Sequence, residues 1–252
     1  MEQRIIALKS QLENVELKED SKDFLANVLE ILSQMNEEFG AAKKDEIIGR
    51  INEYYEKRMA EIREGNTHIK FDDMSHTFTM FILPLDGFAN KNYETQYDLQ
   101  KINLSQNQVK FKPIYASEWT PGTNSEGLIT SNKHSYTQIY RNGVVEVVDK
   151  GILSRSQIPS QGLENKIVEH VREIFELLSL AEVKGDFIIK IQIMDVDRVT
   201  LATNPERYWG RSKEVSGDIS LPDAWITIED DILQSLKIQF DALYNKFGFN
   251  RH

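Results

Sequence analysis

The stretch that decides the fold is SYTQIYRNGVVEVVD, residues 135–149, in which two runs of β-branched and aromatic residues flank Asn142 and Gly143. Asn-Gly is the preferred pair for a two-residue type I′ turn, because both central residues of that turn need a positive φ. The stretch therefore predicts a β-hairpin with a two-residue turn. Side chains alternate between the two faces of a strand, so one face of the first strand is predicted to be a polar and aromatic binding surface. Its residues are Tyr136, Gln138 and Tyr140.

Other strands are predicted on both sides of this hairpin. Residues 77–85 form a continuous apolar run with the length of a buried strand, and residues 186–194 alternate between apolar and polar side chains. Two shorter candidates are residues 109–115 and 126–130. The turn-rich segments 118–127 and 204–222 are predicted to be irregular.

Apolar residues at three-and-four spacing predict helices over residues 24–39, 45–65, 163–181 and 229–247. The order of these elements predicts an α+β fold, in which a mostly antiparallel sheet packs with helices and follows an N-terminal helical extension. We expect residues 1–65 to form the extension, for oligomerisation or docking, and residues 66–252 to form a sensor-like α+β domain. The apolar positions expected at the oligomerisation surface are Phe24, Val28, Leu32, Met35, Ile48, Ile51, Tyr55 and Met59.

The composition excludes several classes of site. The 252 residues include no cysteine, which rules out disulfides, thiolate metal sites and cysteine nucleophiles and fits a reducing compartment. No segment reaches the roughly 18 consecutive apolar residues that a membrane helix needs, and the N-terminus lacks the apolar core of a signal peptide. We therefore predict a cytoplasmic protein with no membrane partner.

The charge distribution disfavours nucleic acid as a partner. The formal net charge of -10 is spread over the chain, and no part of the sequence is a basic domain. Autonomous binding to nucleic acid needs clustered Lys and Arg to neutralise phosphates. A local basic patch stays open as an alternative. The side chains that would form it are Arg50, Lys57, Arg58, Arg63, Arg207 and Arg211.

Standard catalytic and nucleotide-binding motifs are absent. The sequence contains no GxxxxGKS/T, GxGxxG, HExxH or GxSxG, so it calls for no cofactor and favours a non-catalytic protein. Asp195 and Asp197 follow the strand predicted at residues 186–194, where two carboxylates could hold a divalent cation. A metal-dependent hydrolase or nuclease is therefore one alternative, and a solvated strand end is the competing interpretation.

Aromatic residues in the irregular segments are further binding candidates. Trp119 lies in segment 118–127, and Tyr208, Trp209 and Arg211 lie in segment 204–222. Large amphipathic rings beside a guanidinium suit contact with a ligand or partner. The alternative is that these rings fold back over the edges of the sheet. Convergence of the two tryptophans with Tyr136 in one pocket would indicate a small-molecule site.

Four segments in order resemble one protein family. They are YYEKRMAEIREGNTHI (54–69), FILPLDGF (81–88), the hairpin stretch and LKIQFDALYNKFGFNR (236–251). Together they are similar to the region downstream of the DNA-binding domain in bacterial Schlafen-type AlbA-like transcriptional regulators. The family's AlbA-like domain, which carries its nucleic-acid function, has no counterpart in residues 1–53. The resemblance therefore implies an accessory region for sensing or assembly, in a regulatory or anti-phage defence setting.

These observations favour a non-catalytic sensor or assembly module of a bacterial regulatory or anti-phage defence system. The sheet domain would recognise a small ligand or a protein partner, while the N-terminal helices would self-associate or dock onto another subunit. Two alternatives stay open. They are a nucleic-acid-associated regulator and a metal-dependent hydrolase or nuclease that uses Asp195 and Asp197.

Overall fold

The computed structural model describes residues 42–89, 96–104, 110–115, 118–153, 156–203 and 212–251. The chain divides into two compact units, Met1–Glu53 and Tyr54–His252. Helix α1, residues 42–63, contains this boundary, whereas the sequence pattern places a boundary after residue 65. Several predicted site residues lie outside the described residues. They are Phe24, Val28, Leu32, Met35, Arg207, Tyr208, Trp209 and Arg211.

In the residues that the structure describes, the second unit is built around a sheet of nine strands. The strands are β1 Thr77–Pro84, β2 Thr120–Asn124, β3 Gly127–Ser131, β4 Ser135–Tyr140, β5 Val145–Asp149, β6 Gln157–Pro159, β7 Asp186–Ala202, β8 Val215–Ser220 and β9 Ala224–Thr227. Their order is β2-β3-β4-β5-β1-β7-β6, and β8 and β9 also pair with β7. The described pairings are antiparallel except for β6–β7. The predicted α+β fold with a mostly antiparallel sheet is confirmed.

Helices cover both faces of the sheet. Three of them are α2 Ser160–Leu180, α3 Ile232–Ser235 and α4 Lys237–Lys246. Their apolar side chains share one core with β1, β5 and β7 on one face. Residues 54–63 cover the opposite face, where Tyr55 packs edge-to-face on Phe81 with ring centroids 5.3 Å apart. In the part of the chain that the structure describes, no helix combines the length and apolar character needed to cross a membrane.

Strand β1 lies at the centre of the sheet, between β5 and β7. All eight of its residues are buried, because helices cover the sheet above and below it. A strand buried on both faces needs a continuous apolar run rather than an alternating one. The apolar run at residues 77–85 therefore predicts this strand correctly.

The hairpin at residues 135–149 is confirmed as β4 and β5, but the predicted turn type is wrong. The Tyr140 N–H donates to the Val144 carbonyl at 2.8 Å, and the Gly143 N–H donates to the Tyr140 carbonyl at 2.9 Å. The loop therefore has three residues, 141–143. Gly143 has a φ of 80°, whereas Asn142 is not among the described residues with positive φ. This geometry is a turn followed by a left-handed glycine, the usual form of a three-residue hairpin loop.

Three other predictions of local structure are wrong. Residues 110–115 form no strand, and Phe111 and Ile114 instead enter the core as single apolar side chains. Residues 120–124 and 215–220, predicted to be irregular, form β2 and β8. Among the described strands, each of these two pairs with a single neighbour. A strand in that position tolerates the proline, glycine and polar residues that mimic a loop.

Strand β7 is longer than predicted and contains two irregularities. It continues to Ala202, and its pairing with β8 shifts register on either side of Val196. Asp195 and Arg198 have φ values of 47° and 45°. These features are β-bulges, which bend a strand and let it continue. Asp195 and Asp197 therefore lie inside a strand and not at its end, which corrects the prediction.

Candidate functional site

The turn of the β4–β5 hairpin forms one wall of an open cleft of about 490 Å³. We call it the hairpin-end cleft. The residues that line it belong to α1, to the segment that follows α1 and to two turns of the sheet, together with Gln96. They are Tyr54, Lys57, Arg58, Glu61, Asn66, Thr67, His68, Gln96, Glu126, Tyr140, Arg141 and Asn142.

A buried ion pair lies at the base of this cleft. Arg58 donates from Nε to Glu146 Oε2 at 2.7 Å and from Nη2 to Glu146 Oε1 at 2.9 Å. The Glu146 side chain is fully buried and that of Arg58 is 13% exposed. This bidentate geometry is among the strongest that a guanidinium and a carboxylate adopt. Burial by itself would lower the pKa of Arg58, but the hydrogen bonds and charge of Glu146 outweigh it and raise that pKa.

Two tyrosines complete the coordination of Glu146. The Tyr136 hydroxyl donates to Oε1 at 2.6 Å, and the Tyr140 hydroxyl donates to Oε2 at 3.1 Å. Burial, and next the negative charge of Glu146, raise the pKa of both phenols far above the usual range. Both tyrosines therefore stay neutral at physiological pH. The carboxylate accepts four hydrogen bonds, which satisfies a buried charge that would otherwise be strongly destabilising.

His68 connects this network to the surface of the cleft. Its Nε2 lies 2.9 Å from the Tyr140 hydroxyl and 3.7 Å from Glu126 Oε2. Because the Tyr140 hydroxyl donates to Glu146, we assign the proton between His68 and Tyr140 to Nε2. Burial lowers the pKa of His68, and the nearby charges of Glu146 and Glu126 oppose this change.

Arg58 also fixes the chain segment that follows α1. Its Nη1 donates to the Asn66 carbonyl and to Glu61 Oε2, both at 2.9 Å. Farther along, Phe71 stacks on Tyr136 with ring centroids 6.3 Å apart. One guanidinium therefore joins the helix, the sheet and the following segment, so the base of the cleft has little freedom to rearrange.

The rim of the cleft carries charges of both signs. Lys57 and Arg141 are exposed, whereas the donors of Arg58 are directed to Glu146, Glu61 and the Asn66 carbonyl. Glu61 and Glu126 supply the opposing charge. Such a cleft suits a polar ligand, or a peptide segment, that itself carries more than one kind of polar group.

The predicted binding face of β4 is present but is largely covered. Tyr136, Gln138 and Tyr140 lie on one face of the strand, and the first two are completely buried. Gln138 Oε1 accepts from Asn124 Nδ2 at 2.9 Å. Of the three, only Tyr140 lines the hairpin-end cleft, so Tyr136 and Gln138 support the site rather than contact a ligand directly.

Trp119 lies on the opposite face of the sheet. It lines a smaller cavity of about 280 Å³, which we call the tryptophan pocket. The pocket contains His170 of α2, which contacts Thr137 on the face of β4 that points away from Tyr136. Among the described candidates, Trp119 and Tyr136 therefore do not converge. The lining residues are Lys110, Lys112, Ile114, Trp119, Lys166, Glu169, His170 and Glu173.

His170 is expected to make the protein less stable in mild acid. Burial, assisted by the charge of Lys112, lowers the pKa of His170 to about 3, whereas a histidine in an unfolded chain has a pKa of about 6.5. Between these values the unfolded state binds more protons, so stability that is complete above pH 6.5 is lost as the pH falls. From pH 7 to pH 5 this residue should lower the free energy of unfolding by about 2 kcal/mol.

Urea unfolding of the wild type and of His170→Gln at both pH values measures this effect. The comparison cancels the contribution of the carboxylates, which the two proteins share. The variant should lose about 2 kcal/mol less than the wild type between the two pH values. An identical loss in both proteins would contradict the assignment.

The metal-site alternative gains no support from the described residues. Asp195 donates its backbone N–H to Asp218 Oδ1 at 3.0 Å, and the Asp197 side chain is 76% exposed beside Arg198. Within the described ranges, no group of three or more His, Cys, Asp or Glu side chains is arranged to hold a metal ion. The two carboxylates therefore form no recognisable cation site by themselves.

The basic and apolar candidates on α1 have structural contacts. Arg63 forms an ion pair with Asp218, and Arg50 forms one with Glu46. Tyr55 donates its hydroxyl to Gln192 Oε1 at 3.1 Å, and Met59 is 3% exposed. Arg58, Arg63, Tyr55 and Met59 therefore contribute to the second unit itself. Of the predicted apolar positions in the first unit, Ile51 is buried and Ile48 is half-buried.

Sequence reasoning missed two central residues of the cleft, Glu146 and His68. Glu146 lies between valines in β5, and a charged side chain inside an apolar strand is a signal that a buried partner is present. Arg58 was predicted only as part of a possible basic patch for nucleic acid, and not as the partner of a buried carboxylate. His68 carries no comparable signal, since it follows a helix in an irregular segment.

Comparison of the chain with protein-family models, with curated proteins and with solved structures found no match. The resemblance to Schlafen-type AlbA-like regulators therefore stays a prediction.

Proposed function

We propose that the second unit is a non-catalytic sensor or assembly domain that binds a small polar ligand, or a segment of a protein partner, in the hairpin-end cleft. The observation that carries this proposal is the hydrogen-bonded network beneath the cleft. Each carboxylate oxygen of Glu146 accepts two hydrogen bonds, one from Arg58 and one from a tyrosine. A network of this kind holds a surface in one shape, and preorganisation favours binding.

The same network supports binding over catalysis. A general base needs a free acceptor near the reacting atom, and a nucleophile needs an adjacent base. Glu146 is saturated by its four donors, and the two phenols beside it are held neutral by burial and by its charge. The exposed Lys57 and Arg141 at the rim are left as groups that can contact a ligand.

The biological setting of this proposal rests on the family resemblance alone. The proposed setting is a cytoplasmic bacterial regulatory or anti-phage defence system. In that setting the bound ligand or partner would report a change in the cell, and the first unit would transmit it by self-association or docking.

Thermal unfolding with a library of charged and polar metabolites tests the binding proposal. A ligand present at 100 times its Kd adds about 2.7 kcal/mol of stability, which raises the Tm of a domain of this size by about 5–10 °C. We expect Arg141→Glu to remove this increase, because it reverses a charge at the rim. The matched control is Arg172→Glu, at an exposed position of α2, which should retain the increase.

A protein partner is tested with the same pair of variants by co-purification with proteins encoded beside this chain. Loss of the partner in Arg141→Glu but not in Arg172→Glu supports the cleft as the contact site. Ligands or partners that bind both variants as tightly as the wild type would place recognition elsewhere and would overturn the proposal.

A further inference from the structure

We propose that the tryptophan pocket is a second binding site, for a small aromatic molecule that carries one anionic group. The pocket lies on the opposite face of the sheet from the hairpin-end cleft and shares no lining residue with it. Binding in this pocket therefore does not depend on the function proposed for the hairpin-end cleft.

A buried hydrogen-bonding group lines the pocket. His170 is 2% exposed, and its Nε2 lies 3.1 Å from Thr137 Oγ1. Its Nδ1 has no hydrogen-bond partner among the described residues, and the same holds for the buried Oε2 of Glu173. A buried polar atom without a partner destabilises the folded state. A ligand with a polar substituent would provide the missing hydrogen bond.

The apolar wall of the pocket favours a flat ligand. Trp119 is 36% exposed, and Ile114 is 6% exposed. An aromatic ring that stacks on an indole gains contact area with little loss of conformational entropy. The volume of about 280 Å³ lies just below the range of pockets for drug-sized ligands, so a single ring is the size that fits.

The charges of the pocket favour an anion. Lys112 bridges Glu169 and Glu173, each at 2.9 Å. Two further lysines, Lys110 and Lys166, are exposed at the rim, and Lys166 Nζ lies 5.7 Å from the centre of the Tyr115 ring. Three lysines against two glutamates leave an excess of positive charge. A carboxylate or a phosphate on the ligand would balance that excess.

Titration of the full chain with benzoate, para-hydroxybenzoate and phenyl phosphate tests the proposal. Calorimetry, together with tryptophan fluorescence, to which Trp119 contributes, should show saturable binding of at least one probe with a Kd of about 1 mM or tighter. Comparison of benzoate with para-hydroxybenzoate tests whether a hydroxyl of the ligand forms a hydrogen bond inside the pocket. Comparison of carboxylate with phosphate identifies the preferred anion, and saturable binding of either kind supports the site.

Two exposed rim positions allow a test that does not depend on altering the core. The double variant Lys110→Glu/Lys166→Glu should weaken binding by about 10-fold or more, because each exchange replaces attraction by repulsion. The control Lys184→Glu/Lys246→Glu makes the same change in net charge at exposed positions outside the pocket and should bind as the wild type does. Arg141→Glu should also leave this binding unchanged.

Two results would overturn the proposal. The first is that none of the three probes saturates. The second is that the rim variant binds a probe as tightly as the wild type, which would place that probe at another site. Neither result bears on the hairpin-end cleft, whose test uses Arg141→Glu.

Discussion

Replacement of Arg58 by methionine is expected to lower the free energy of unfolding by about 3–5 kcal/mol, because it leaves the Glu146 carboxylate buried and without its cation. Methionine retains much of the aliphatic length of arginine, so the charge and its hydrogen bonds account for most of the difference. Chemical unfolding followed by circular dichroism measures this loss. It would be a large fraction of the total stability of a natural domain.

Arg63→Met is the matched control. Arg63 lies on the same helix and forms an ion pair with Asp218, but the two side chains are 42% and 37% exposed. An exposed pair contributes only about 0–1 kcal/mol. Equal losses in Arg58→Met and Arg63→Met would show that the Arg58–Glu146 pair is not the buried, stabilising contact described above.

A double variant separates the charge from the rest of the network. Removal of the carboxylate as well, in Arg58→Met/Glu146→Leu, should recover part of the stability lost in Arg58→Met, because no unpaired charge remains. The recovery should be incomplete, since the hydroxyls of Tyr136 and Tyr140 lose the acceptor they share.

Replacement of Gly127 by alanine is the second large effect we expect. A methyl group at this position would lie 2.0 Å from the Ile139 carbonyl oxygen, and the φ of Gly127 is 155°. The pairing of β3 with β4 must therefore shift, and Gly127 pairs with Tyr140 of the cleft. Overpacking and an unfavourable φ together should lower the free energy of unfolding by about 2–5 kcal/mol.

Strand β2, which pairs with β3 on the side opposite β4, provides the control for this variant. Gly122 of β2 has open space where a methyl group would be added, and no positive φ is recorded for it. Gly122→Ala should be neutral or should stabilise the protein by up to about 1 kcal/mol, because alanine restricts the unfolded chain. A similar loss in both variants would contradict the steric explanation at Gly127.

The central part of the fold could be predicted because the pattern of apolar residues in its strands follows directly from which strand faces are buried. The apolar run of β1 and the alternating pattern of β4 and β5 each follow from which faces of the strand are covered. Edge strands lack that signal. The polar sequence of β2 is compatible with a loop, and only its pairing with β3 makes it a strand. Conversely, the apolar side chains of residues 110–115 enter the core without joining the sheet.

The candidate site was less predictable than the fold. The hairpin sequence correctly predicted Tyr140 as a site residue. Most of the residues that shape the cleft around Tyr140, however, come from α1 and from the segment that follows α1. Arg58 and Glu146 are 88 positions apart in the chain, so their pairing depends on tertiary packing and not on any local pattern. The sequence also placed Trp119 and Tyr136 in one candidate set, while the sheet separates them.

The central position of β1 has a consequence for synthesis of the chain on the ribosome. Both of its neighbours, β5 and β7, come later in the sequence, so this mostly apolar strand, buried in the folded protein, leaves the ribosome long before either edge can be paired. Pairings between distant segments form slowly, and unpaired apolar strands are prone to aggregate in the meantime. We therefore expect the yield of folded protein in cells to depend on chaperones that hold nascent chains.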